Sequence, residues 1–252
     1  MRTLSFLLIL FVMLLSSCSK KEDVKTELDA FTVPKISQLD EKYLVTTEEH
    51  LLQPDARGAM RFYYNGNRVV KRDWWPDAVY DTVIYTSPNT ITLIQKDILP
   101  GVDYNTLKRE IKVFNGQVVQ KISYDNVSQP SRNDTIDYVY DQQQRLTQTI
   151  QKTPYRLTTR QFYYDGNNNL QRVYTTTIDR YDAYVYPSAE ELFGGYDNKP
   201  NPLKGATLWH DILYRSLSQN NFTTYSHTDH NGTQTRNWTL VYDAKGQVDF
   251  SR

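Results

Sequence analysis

Phe162-Tyr163-Tyr164-Asp165-Gly166-Asn167-Asn168-Asn169-Leu170-Gln171-Arg172-Val173 reads as an aromatic strand, a polar turn and a second strand. Tyrosine-rich runs such as Gln161 to Tyr164 favour the extended state. Asp165-Gly166 predicts a turn that tolerates positive φ, and Leu170 to Thr177 resumes with β-branched and aromatic residues. Outward from this hairpin the same order recurs along the chain. Arg61 to Val70, Lys112 to Val119 (aligned on Phe114), Asp137 to Leu146 and Thr239 to Val248 repeat it, and Thr82 to Ile91 is a degenerate copy. The anchor tyrosines Tyr140 and Tyr164 are 164 − 140 = 24 residues apart, room for two strands and two turns. One such unit buries only one edge of its apolar face, and stacking neighbours completes a core.

The predicted fold is therefore mainly β. It is an antiparallel meander of hairpins forming a curved open sheet or partly closed barrel, with one short helix in the C-terminal third. Phe62, Tyr63 and Tyr64 run together against strict alternation. Tyrosine is amphipathic enough to face either side, so the pattern predicts one packed face and one wetter, aromatic-rich face. The helix is predicted over Ala206 to Leu217, where Leu208, Trp209, Ile212 and Leu213 fall at helical spacing. Tyr181 to Tyr196 before it reads as a long ordered loop, the usual place for a binding site in a regular sheet.

The N-terminus carries an export signal. Met1-Arg2-Thr3 precedes an apolar run from Leu4 to Leu15, shorter than the roughly 20 residues of a spanning helix. Leu15-Ser16-Ser17-Cys18 follows and resembles the lipobox of bacterial lipoproteins, which implies a lipid on Cys18, the only cysteine of the chain. The predicted organisation is a signal peptide at 1–17, a lipidated N-terminus and flexible tether at 18–35, and a single β-rich repeat domain at 36–252. Within the start of that domain, Ser37 to Tyr43 has a short helical pattern. Lys21-Glu22-Asp23 resembles the lysine-plus-acids signal of Bacteroidetes lipoproteins. It implies an outer-membrane lipoprotein facing the exterior, with the periplasmic face as the alternative.

The processed chain would hold 252 − 17 = 235 residues, with 28 basic side chains once Arg2 is removed and 29 acidic ones. A balance so near zero argues against nucleic acid, whose binding depends on neutralising phosphates. With no second thiol for a disulfide, stability rests on packing.

The repeat region from about Gly58 to Arg252 resembles Bacteroidetes lipoproteins of unknown function built on YD-like units, themselves similar to the YD repeats of RHS-type surface proteins. The residues that carry the resemblance are Tyr196-Asp197-Asn198-Lys199-Pro200-Asn201-Pro202-Leu203, then Leu217-Ser218-Gln219-Asn220-Asn221, then Tyr242-Asp243. That family brings no catalytic residues to transfer.

His227-Thr228-Asp229-His230 offers metal donors, but it abuts Asn231-Gly232, a hairpin signal, and a polar hairpin end is preferred. Asp165, Asn167 and Asn169 imitate the start of a calcium loop, yet Leu170 stands where glycine is needed and Thr176 where the bidentate glutamate belongs. Asp179 with Asp182, or Glu190 with Glu191, would make a glycosidase pair only at a separation of about 5 to 9 Å. No nucleophile elbow or phosphate loop is present, so no catalytic residues, metal or cofactor are expected, and the chain is read as a non-enzyme. Trp74-Trp75-Pro76, with Tyr184 and Tyr186, supplies aromatic faces suited to stacking on a sugar.

The functional expectation is a lipid-anchored envelope protein acting as a non-catalytic binding or structural module. The alternatives are a glycan-binding surface lipoprotein and a periplasmic carrier of an apolar ligand lined by Leu146, Leu170 and Val248. The implied partners are the membrane, through the lipid, and a glycan or another envelope protein.

Overall fold

The computed structural model describes residues 43–45, 52–54, 61–75, 79–97, 107–124 and 133–242, together with 244 and 248. Cys18, Lys21, Glu22 and Asp23 lie outside the described residues. A short hairpin, β1 (Tyr43–Val45) with β2 (Leu52–Pro54), stands apart from the main sheet. Tyr43, the end of the stretch with a helical pattern, opens a strand instead; the residues before it are not described.

Thirteen strands then follow one another in a single antiparallel meander in which every strand pairs with its neighbours in sequence. They are β3 (Arg61–Asn65), β4 (Arg68–Trp75), β5 (Val79–Ser87), β6 (Thr90–Asp97), β7 (Leu107–Phe114), β8 (Gln117–Tyr124) and β9 (Asp134–Tyr140). β10 (Leu146–Lys152), β11 (Arg156–Tyr164), β12 (Leu170–Asp179), β13 (Ala189–Gly194), β14 (Thr224–Asp229) and β15 (Gly232–Asn237) complete the sheet. The predicted meander is the observed fold, and the edge strands β3 and β15 are not paired with each other.

Ala189 to Gly194, within the stretch read as one loop, is a strand. Its alternation explains why: Glu191 and Phe193 are buried while Leu192 is exposed. The helix is shorter than predicted, a 3-10 turn at His210–Ile212 running into α1 (Leu213–Ser216). Trp209 before it is extended, and the Gly205 amide donates to the Ser216 carbonyl, folding the segment back on itself.

The 29 residues between β13 and β14 (195–223) form a plug. Trp209 packs edge-on against Phe62 of β3 at 5.0 Å and under the Arg72 guanidinium of β4. Lys121 of β8 donates to the Leu208 carbonyl. Five residues further on, Tyr214 packs against Phe162 of β11 and Phe193 of β13. Strands β4 and β13 are nine positions apart, about 43 Å across a flat sheet at roughly 4.8 Å per strand. Five extended residues reach at most about 18 Å. The sheet therefore curls around the plug into a partly closed barrel. Its inward residues Val69, Ile91, Ile111, Val118, Leu146 and Leu170 meet Leu203, Ala206, Leu208, Ile212 and Leu213 to make one buried core.

The irregular alternation has a structural cause. Register shifts fall at Tyr63/Tyr64, Tyr85/Ser87, Lys112/Val113 and Tyr163/Tyr164, each beside a turn. Such bulges re-aim one side chain. Here they bring the anchor tyrosine to the inner side, where its hydroxyl donates to a backbone carbonyl of the preceding hairpin. Tyr85 reaches Val69, Tyr140 reaches Val118 at 2.8 Å, Tyr164 reaches Leu146 at 2.9 Å, and Tyr196 reaches Leu170. In the third hairpin the pairing Val113↔Val118 matches Tyr64↔Val69. Val113 thus occupies the anchor position and Phe114, aligned with the tyrosines by sequence, points to solvent. Position 113 has no hydroxyl, so this rung is missing.

Candidate functional site

The two ends of the barrel are built differently. At one end lie the turns 66–67, 88–89, 115–116, 141–145 and 165–169, and the plug enters there. In the two longest of these turns the aspartate is saturated by backbone amides. Asp141 Oδ1 accepts from Gln143 and Arg145, and Asp165 Oδ1 from Asn167 and Asn169 at 2.8 Å each. The predicted positive φ falls on Asn168 (61°) rather than on Gly166. Asp165, Asn167 and Asn169 therefore close an Asx-type turn, and the same geometry at Asp141 uses glutamines. Tyr196-Asp197 is one more such turn, expanded to hold the plug: Asp197 Oδ1 accepts from the amides of Lys199 and Asn221. At its base Gly195 has φ +62°, and a Cβ there would run into the Thr223 hydroxyl.

The opposite end carries the longer connections, 98–106, 125–133 and 180–188, and a tyrosine-lined mouth. Residues 180–188 fold back onto β12: the Asp179 amide donates to the Tyr184 carbonyl, the Tyr186 amide to the Thr177 carbonyl, and Val185 bridges Ile178. The neighbouring turn 153–155 is tied in by the Arg180 amide, which donates to the Tyr155 carbonyl, and by Arg180 Nη1, which donates to the Thr153 carbonyl at 2.6 Å. Between them opens a pocket of ≈ 650 Å³, lined by Tyr155, Arg156, Asp179, Tyr181 and Tyr186 among others. Tyr181 is 77% exposed and lies 5.9 Å from the Tyr155 ring. Tyr184 stands edge-on to Tyr186 at 5.1 Å, and the Arg156 guanidinium lies over the Tyr186 ring at 4.9 Å.

Two of the four predicted stacking residues, Tyr184 and Tyr186, are thus brought together at this mouth. Trp74 and Trp75 sit at the end of β4, at the same end of the sheet but seven positions from β11 in strand order. Their side chains are outside the described residues. Sequence reasoning missed Tyr155, Tyr181 and Arg156. Their signal was the facing of two connections, 153–155 and 180–188, across one strand pair.

The two candidate carboxylate pairs are placed differently. Asp179 and Asp182 accept from the Tyr181 and Tyr184 amides, respectively. Glu190 lies beside Arg172 on the outer face, whereas Glu191 points inward and accepts from Tyr214 at 2.6 Å and Tyr225 at 2.8 Å. Burial, together with this carboxylate, pushes the Tyr214 hydroxyl well above its ordinary value. At the β14–β15 turn, Asp229 accepts from Asn231 and lies 3.8 Å from His227. These contacts, with its neighbouring imidazoles, hold its carboxyl below the usual range. Among the described residues no three potential ligands converge on a metal position. The concave face that a carrier would use is filled by the plug, with Leu146 and Leu170 buried beneath it and Val248 buried at its margin.

The outer face mixes ion pairs with exposed apolar side chains such as Ile84, Val139 and Leu192. Lys71 pairs with Asp73, Lys152 with Asp137, and Arg172 with Glu190. Burial acts against ionisation of Asp137, but hydrogen bonds from Lys152 and Gln120 outweigh it and lower its pKa.

No protein family matches the chain, and no match is found among curated proteins. Among solved structures the chain is similar to a porin-like protein from Bacteroides vulgatus, with a TM-score of 0.51 at 10% identity, covering 75% of this chain and 85% of that one. A porin-like protein from Bacteroides uniformis shows a TM-score of 0.48 at 12% identity, over 79% and 85% of the two chains. The first likeness is one of fold.

Proposed function

We propose that this chain is a lipid-anchored outer-membrane protein, tethered through Cys18 and turned to the exterior by Lys21-Glu22-Asp23, that binds a glycan at its tyrosine-lined mouth without catalysing its turnover. The observation that carries the binding reading is the convergence of four tyrosines, Tyr155, Tyr181, Tyr184 and Tyr186, on two adjoining connections at one end of a plugged barrel. Tyrosine offers an apolar face for a sugar ring and a hydroxyl for its edge, at low cost in side-chain entropy. The pocket is preformed by backbone hydrogen bonds, so little ordering is needed on binding.

The envelope reading draws on the lipobox and on the porin-like name of the solved protein with the similar fold. The outer face supports a lipid anchor in place of a membrane-spanning barrel. A lysine or arginine facing lipid at the bilayer midplane costs about 2–4 kcal/mol, and Lys71, in the middle of β4, faces outward from the strand. The test is a panel of polysaccharides presented to the full-length protein and to Tyr181→Ala/Tyr184→Ala. A glycan retained by the native chain and lost by the double variant is the expected result; equal retention removes the mouth from the reading.

A further inference from the structure

We propose that the tyrosine-lined mouth selects sugars bearing a carboxylate, with Arg156 as the residue that recognises that group; this rests on the glycan-binding reading above. Arg156 is exposed at the first position of β11, and its guanidinium carbon lies 4.9 Å from the centre of the Tyr186 ring. A guanidinium is planar and presents its N–H groups as a fork that meets a carboxylate with two parallel hydrogen bonds, and a neighbouring ring limits the positions its side chain can take. No carboxylate lies within ion-pair distance of it among the described residues.

The other ionic groups around the pocket are already engaged. Asp179 accepts from the Tyr181 amide through Oδ1 and from the Tyr186 hydroxyl through Oδ2, and Arg180 donates to the Thr153 carbonyl. The free cation thus stands beside two exposed rings, Tyr155 and Tyr181, on which a pyranose can stack. Asp134 and Asp179 line the same pocket and repel anions, a dianion such as a phosphate monoester more strongly than a singly charged carboxylate. A single planar negative charge on a sugar ring, as in a uronic acid, satisfies all three conditions.

The experiment is titration calorimetry of the full-length protein in detergent with oligomers of galacturonate, glucuronate and mannuronate, their methyl esters, and a sulfated oligosaccharide. Esterification removes the charge and keeps the ring. At least one acidic oligomer is expected to bind about tenfold more tightly than its ester, the size of effect a charge-assisted hydrogen bond supplies. Arg156→Gln is expected to bring the acid down to the ester's affinity and leave the ester unchanged, with Arg156→Lys intermediate and Tyr181→Ala weakening both. Equal affinity for acid and ester, a preference for the sulfated chain, or an acid preference that survives in Arg156→Gln overturns the inference while leaving a glycan-binding mouth. Absence of binding to every acidic and neutral saccharide overturns both. Melting curves of the variants confirm that each is folded.

Discussion

At one end of the barrel the strands are joined by turns of two to five residues whose tyrosines are hydrogen-bonded to the preceding hairpin, and the plug is itself an outgrowth of such a turn. At the other end, connections of up to nine residues leave rings in solvent, Tyr181 most of all. The same residue type therefore does opposite work at the two ends. Tyr140 and Tyr164 join hairpins through buried hydroxyls, and Arg145 covers the Tyr164 ring at 5.2 Å. Tyr155 and Tyr181 offer their faces outward. Stability rests on the first end and the proposed recognition on the second, a division the following measurements can break.

The largest effect is expected at the plug. Trp209→Ala removes the ring that holds β3 and β4, and should cost about 3–5 kcal/mol in urea unfolding. A loss under about 1 kcal/mol would show that the sheet curls without it. Next comes alkaline unfolding. Burial raises the hydroxyl pKa of Tyr85, Tyr140, Tyr164 and Tyr196 above the ordinary value of about 10. Raised values in the folded state mean that the unfolded chain loses these protons first. Their contribution is complete below about pH 10 and disappears as pH rises through the folded-state values. Tyrosinate absorbance and loss of sheet signal should therefore rise together; ionisation of all the tyrosines with the sheet intact would break the assignment.

A smaller effect is expected for one rung. Tyr164→Phe leaves the Leu146 carbonyl without its donor and should cost about 1–2 kcal/mol. Phe114→Tyr, outside the ladder, should stay within about 0.5 kcal/mol. If the two differ little, the hydroxyls are incidental. The smallest effect on stability belongs to the mouth: Tyr181→Ala should change it by less than about 0.5 kcal/mol while reducing glycan retention.

Much of the meander was legible because its signals are local. Aromatic runs, Asp-Gly and Asn-Gly turns and the residues after them recur in order, and the apolar spacing around Trp209 marked the helical segment. The anchor position in the third hairpin was misread because Phe114 is aromatic, whereas strand register assigns that position to Val113. A curved sheet was expected, but how far it curls was not legible, for a different reason. It depends on Trp209 and Tyr214 meeting strands nine positions apart, and nothing in their local spacing specifies those partners. The mouth was half legible: Tyr184 and Tyr186 share one connection, but Tyr155 and Arg156 arrive from another. The two glutamates that looked paired are separated by strand alternation, Glu190 outward and Glu191 inward.

The contact between Trp209 and Phe62 also orders events in time. The two residues are 209 − 62 = 147 positions apart, so the early hairpins leave the ribosome, and any translocation channel, long before the residue that covers them. Contacts of such long range slow folding, and half-made sheets with bare apolar faces are prone to associate with one another. A chain built this way gains from staying unfolded until its last quarter has been made. Until Trp209 arrives, the apolar side chains of Phe62, Val69 and Ile91 lack the cover that the plug gives them in the folded protein.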